Sequence, residues 1–248
     1  MKNKIHLKLF FSLLIGTYVL AQNSSECAQN LSIFAENAKV KNYSAAYGPW
    51  ISVKNECPDL NIAIYAYGER ILKNRIKNTP ESEKIQRQTD LMNLYDDWVK
   101  YFPLKKGKND VGNILSAKAQ SMIDFKIGSN IVIYSIFDDA FKKDPESFSN
   151  PKRLYSYFKS FYEIYKSGNG EITTEELFEK YEDISDKFET EGVKISKNLD
   201  KILKKEASGE PLTTRDLKLR KVYDSYSNAI AVSLKSLDAI MSKESSCE

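Results

Sequence analysis

The chain of 248 residues has one histidine, His6, and it falls within the first 21 residues. Those residues read as an export signal. Lys2, Lys4 and Lys8 give a basic start, LFFSLLIGTYVL an apolar core, and Val19 and Ala21 the small residues that precede a cleavage site. From Gln22 onward there is no histidine, which excludes a Ser-His-Asp triad, a Cys-His pair and every metal site that needs an imidazole. No cysteine follows Ala21 directly, which argues against a lipoprotein anchor. After Gln22 no apolar run reaches membrane-spanning length, so no membrane insertion is expected once the signal is removed. An excess of one charge is missing as well. The signal holds three Lys and no acid, so the 37 Lys and Arg of the chain become 34 beyond it, against 34 Asp and Glu. A chain with zero formal charge offers no case for a nucleic-acid partner.

Glycine and proline are sparse, 10 and 7 in all, and alternation of the strand type is almost absent. The expected class is all-α. Catalytic chemistry is equally scarce. The paired acids Asp96-Asp97, Asp138-Asp139 and Glu175-Glu176 are adjacent in sequence. Neighbours on a helix point about 100° apart, so such pairs do not by themselves form a general acid and base. No catalytic residue, cofactor or metal is expected.

What is present is helical periodicity in pairs. From Glu26 to Val40, Leu31, Phe34, Ala35 and Ala38 recur at helical spacing; Lys41-Asn42 makes a break; Tyr43 to Lys54 follows with Tyr43, Ala46, Trp50 and Val53 on one face. Pro49 falls in the first two turns of that helix, where it costs least, and Pro58 closes the hairpin. A second hairpin runs from Asn61 to Pro103 and carries an insert, KNRIKNTPESEKIQRQ. Thr79-Pro80 within it reads as a cap and a first-turn proline. LKKGKNDVGN is a polar loop, and helices are expected over Ile114–Phe125, Ser129–Lys142 and from Pro151, capped by Asn150. Thr173 and Glu176 form a capping box. It opens a helix with Leu177, Tyr181, Ile184, Phe188, Ile195, Leu199 and Ile202 on one face and Gly192 as a place for a kink. After the turn at Ser208–Pro211 a helix of similar length carries Leu219, Val222, Tyr226, Ile230, Leu234, Leu237 and Met241. Each is about 30 residues, or ~45 Å, and together they predict an antiparallel hairpin.

The first two hairpins resemble the tetratricopeptide repeat, a helix–turn–helix unit. With Pro58 closing the first repeat, Ala46, Trp50 and Val53 stand at the family's small, aromatic and small sites. In the second, Gly68 stands at the family's glycine, where two helices approach closely, between Tyr67 and Ile71, and Leu91, Tyr95 and Trp98 precede the closing Pro103. Phe34 and the large Trp98 depart from the pattern, as does the insert between Ile71 and Leu91. The stretch is also similar to secreted tetratricopeptide-type proteins of the Bacteroidetes. The resemblance implies a degenerate α-solenoid over 27–103 that binds extended peptides on the inner helix of a repeat. In the second repeat that face is Ile62, Tyr65, Glu69, Leu72 and Lys73. The expected division is a signal peptide at 1–21, two repeat-like hairpins at 22–103, a further helical pair at 104–170 and the long antiparallel hairpin at 171–248.

Three functional readings follow. The first is an exported, periplasmic or extracellular, helical-repeat scaffold binding another protein or peptide. The second is a carboxylate-based envelope hydrolase. The third is a calcium-responsive helical module, since Ser167, Asn169, Gly170, Ile172 and Glu176 match a calcium loop. Tyr165 stands where that loop needs its first oxygen donor, so the simpler reading is a glycine-containing turn before a capped helix. The runs KKGKND and KILKKEAS read as solvated loops and helix faces rather than a patch for acidic partners, and the aromatic stripes Tyr43/Trp50 and Tyr157/Phe161/Tyr165 as core.

In an antiparallel hairpin turning at Lys41-Asn42, the first turn of one helix faces the last turn of the other. That places Cys27 beside Cys57, and a disulfide is expected. Cys247 is then the odd cysteine, and the apolar face continues to Met241 with no closing cap. The expectation is that the chain is the N-terminal part of a longer repeat protein or pairs through Cys247 with a second chain.

Overall fold

The computed structural model describes residues 25–168 and 172–245. The expected signal, Asn169 and Gly170 of the calcium-like loop, and Cys247 lie outside them. Among the described residues there are nine α-helices and one two-stranded ribbon, so the fold is all-α. The chain divides into two compact units at Pro103/Leu104. The boundary expected at 170 falls inside the second.

In the first unit, α1 (residues 25–39) and α2 (Tyr43–Glu56) form one hairpin, and α3 (Ala63–Asn78) and α4 (Glu81–Tyr101) another. Asn42 caps α2, its side chain accepting from the Ala45 amide. Ala46, Trp50 and Val53 are the buried residues of α2, the spacing expected of one helical face, whereas Tyr43 is only half-buried. A disulfide joins Cys27 to Cys57, with Cα atoms 6.4 Å apart, and closes the open end of the first hairpin. The two hairpins pack through Gly68. A Cβ there would lie 2.6 Å from Trp50 Nε1, and Trp50 donates that N–H to the Ile64 carbonyl at 2.7 Å. Phe34 is fully buried and meets Tyr67 edge-on, ring centroids 6.5 Å apart.

The insert of the second hairpin makes no element of its own; it lengthens α3 and α4. Helix α4 begins one residue later than the sequence suggests, with Pro80 at the cap position. Thr79 is not its cap, because its hydroxyl turns back to the Arg75 carbonyl at 2.7 Å and ends α3.

The second unit starts with a ribbon, β1 (Leu104–Lys105) paired antiparallel with β2 (Lys108–Asn109), in the stretch read as a polar loop. Lys106 (φ +52°) and Gly107 (φ +76°) make the turn between them, the two left-handed residues of a type I′ hairpin. Helices α5 (Val111–Phe125) and α6 (Asn130–Lys143) pack closely. The α5 N-terminus is capped from a distance. Asp144 Oδ2 accepts the Gly112 amide at 3.2 Å and Ser147 Oγ the Asn113 amide at 2.9 Å, which starts the helix three residues ahead of the expected Ile114. Helix α7 (Pro151–Ser167) has the Asn150 cap and Pro151 in its first turn.

Helix α8 (Thr174–Ala207) has the expected capping box and runs through Gly192 unbroken. It turns at Gly209 (φ +76°) into α9 (Thr214–Ser245). Near the base of this hairpin α7 packs on both helices, burying Leu177, Ile184 and Phe188 of α8 and Leu237 and Met241 of α9. Toward the tip the burial ends. No residue from Leu203 to Ala229 is buried, and Val222, expected on the core face, is 49 % exposed. At the tip, Arg220 pairs with Glu206 at 3.0 Å and Lys205 with Asp216 at 3.5 Å.

Candidate functional site

The peptide face expected on α3 is partly turned inward. Tyr65 and Leu72 are fully buried. The Tyr65 hydroxyl donates to the Pro58 carbonyl at 3.0 Å, and its ring stacks on Trp98 and Tyr101 at centroid distances of 6.1 and 6.3 Å. Burial first, and then the Asp97 charge, push its hydroxyl pKa well above the usual range. Glu69 accepts from Tyr95 at 2.8 Å and from Lys73 at 2.7 Å, and Ile62 is a half-buried residue at the α3 N-terminus. The correction is that Tyr65 and Leu72 belong to the core. Tyr65 lies against Trp98 and Tyr101 of α4, and with Leu72 buried as well the five residues do not form an open peptide groove.

In the second unit a polar group is built from α6, α7 and α8. Asp138 accepts from the Tyr157 hydroxyl and from Tyr134 at 3.3 Å, and pairs with Lys142 at 2.6 Å. Lys180 donates to Tyr157 at 2.9 Å and lies over the rings of Tyr134, Tyr157 and Phe161, 5.0 Å from the Tyr157 centroid. Burial alone would raise the Asp138 pKa, but the hydrogen bonds from Lys142 and Tyr157 and the Lys180 charge outweigh it and hold it low. Burial and the bond to Asp138 push Tyr157 up, so it keeps its proton. Both oxygens of the ionised carboxylate are engaged, Oδ1 by the two tyrosines and Oδ2 by Lys142. The group is a cross-brace of three helices.

The calcium-like loop is similarly committed where it is described. Glu176 accepts from the Thr173 amide at 2.7 Å and from the Thr173 hydroxyl at 3.1 Å, while Ser167 donates to the Ile164 carbonyl. Among the described residues no three His, Cys, Asp or Glu side chains are grouped to hold a metal ion.

Two large concavities remain among the described residues: a hollow of about 430 Å³ lined by Gln120, Asp124, Asn130, Lys152 and Ser156 of α5, α6 and α7, and one along the last hairpin. A trough runs along one face of the α8–α9 hairpin, as two adjoining hollows of about 290 and 470 Å³ that share Asn198 and Tyr223. Its α8 wall is Glu191, Lys194, Ile195, Asn198, Lys201, Ile202 and Lys205, spaced by threes and fours. Its α9 wall is Tyr226, Tyr223, Val222, Leu219, Asp216 and Arg215. Ile195, Ile202, Leu219, Val222, Tyr223 and Tyr226 are its apolar lining, and its rim holds four cations, Lys194, Lys201, Lys205 and Arg215, against two acids, Glu191 and Asp216. The signal in the sequence was a shift in charge: residues 194–224 contain nine Lys and Arg against five Asp and Glu, a net +4, which leaves the rest of the chain beyond residue 21 at −4. With this geometry in hand, comparison with known proteins adds no relative: no family model, no curated protein and no solved structure matches the chain.

Proposed function

We propose that this chain is an exported helical scaffold, tetratricopeptide-like in its first unit, that binds another protein and catalyses no reaction of its own. The observation that carries the reading is the open trough between α8 and α9. Along it Leu219, Val222, Tyr223 and Tyr226 lie on one face of α9, and none of them is buried, which leaves room for another chain to cover them. Export is supported by the signal-like leader and by the Cys27–Cys57 disulfide, which persists in oxidising compartments. Among the described residues no helix is long and apolar enough to cross a membrane. The test is affinity capture from envelope extract of the source organism, followed by sizing of the recovered complex. A stoichiometric protein that comigrates with the chain is the expected outcome; a chain that elutes alone at every concentration refutes the reading.

A further inference from the structure

The trough is specific enough in shape and charge to name its occupant. The groove between two antiparallel helices can take a third helix laid along it, as in a three-helix bundle. A third helix seated between them would cover the half-buried Leu219, Tyr223 and Tyr226 and the exposed Val222, beside Ile195 and Ile202 of α8, which are already buried. An extended strand suits the site less well, because its backbone groups need partners that a mainly apolar floor does not supply. A helix satisfies its own backbone. The α8 wall from Glu191 to Lys205 is about 20 Å long, or roughly four helical turns. The rim fixes the sign of the partner. Lys201 and Arg215 have no carboxylate partner among the described residues, and Lys205 shares Asp216 at 3.5 Å. Like charges brought against this rim are penalised, and opposite charges are steered to it.

We infer that the trough seats an acidic amphipathic helix about four turns long, supplied by a partner protein. Its apolar stripe lies on the floor, and its carboxylates meet Lys201, Lys205 and Arg215. This rests on the scaffold reading and adds the class of partner and its position.

The test uses three fluorescent 21-residue peptides and the purified chain. One peptide carries leucines at helical spacing with glutamates elsewhere, the second has lysines for the glutamates, and the third is the acidic peptide interrupted by prolines. Binding is read by anisotropy at low salt and at ~0.3 M NaCl. The acidic helix is expected to bind about tenfold or more tighter than either control and to weaken with salt. The triple variant Lys201→Glu, Lys205→Glu, Arg215→Glu should lose about tenfold or more of that affinity, as should Val222→Asp, with far-UV circular dichroism unchanged. Equal binding of acidic and basic helices, or an unaffected triple variant, overturns the inference. So does tighter binding to vesicles containing phosphatidylglycerol, or a self-associated dimer that excludes the peptide. A captured protein partner whose binding survives both trough variants also overturns it, while leaving the scaffold reading standing. Tight binding of the acidic helix by a chain that recovers no partner from extract has the reverse meaning.

Discussion

Replacing Gly68 by alanine is the sharpest test of how the first unit is assembled, because two effects of known size oppose each other. Gly68 lies inside α3, where alanine is the better helix former by about 1 kcal/mol. If nothing packed against it, Gly68→Ala would therefore stabilise. The added methyl, however, would sit 2.6–2.8 Å from Nε1, Cε2 and Cζ2 of Trp50, which is itself fully buried. The ring must move, and its 2.7 Å hydrogen bond to the Ile64 carbonyl, one turn before Gly68, is lost. Overpacking costs about 1–3 kcal/mol, and a buried N–H left without a partner roughly 1–2 more. After the propensity gain, the net expectation is a loss of about 2 kcal/mol. Tryptophan fluorescence isolates this unit, because Trp50 and Trp98 are the two tryptophans of the chain and both lie before Pro103. Urea unfolding of the variant should show a lower midpoint at unchanged slope. In a Trp50→Phe background the shorter ring makes room, and Gly68→Ala should become neutral or stabilising, giving a coupling of about 2 kcal/mol. A Gly68→Ala protein about 1 kcal/mol more stable than the parent would refute the close approach of α2 and α3.

Three further predictions follow from the packing. Reducing the Cys27–Cys57 bond, or replacing both residues by alanine, should lower the stability of the first unit by about 3–4 kcal/mol in the chain-entropy model; a non-reducing peptide map that finds both thiols free would contradict it. Asp138→Asn leaves Lys180, whose side chain is 15 % exposed, without its counter-charge, and should cost the second unit about 2–3 kcal/mol, read by calorimetry as a shift in one transition. Tyr162 donates to Glu244 at 2.7 Å, and this bond, with burial, raises its pKa to about 12. A hydroxyl that holds its proton more tightly when folded stabilises fully below the unfolded value of ~10. That stability is lost as pH rises through about 12, so the alkaline loss of stability should be shallower in Tyr162→Phe.

What was legible in the sequence was mostly local. The caps at Asn150 and Thr173 involve residues within three positions of each other, and the structure has both. The disulfide was legible because hairpin geometry converts sequence position into distance. Two of the failures share one cause, a partner far away in the chain. Helix α5 starts early because Asp144 and Ser147, over thirty residues on, cap it. Tyr65 is buried by Trp98 and Tyr101, which lie on the next helix. Val222 and Ile230 sit on the same apolar periodicity, yet only Ile230 is buried, because burial along the hairpin ends toward the tip. The ribbon at Leu104–Asn109 was missed for another reason: strands of two residues carry no alternation to read.

The position of α9 bears on the order in which the protein can fold. In the first unit each helix finds its partner in the next one along the chain, so structure can form as the residues become available. The second unit differs. Its α7 is covered by α9 as well as by α8, and Tyr162 reaches Glu244 across 82 residues. Leu237 and Met241 are among the last described residues, and both are buried. During synthesis the aromatic face of α7 therefore waits, unsealed, until α9 has emerged. In that interval it is the surface that a chaperone must shield.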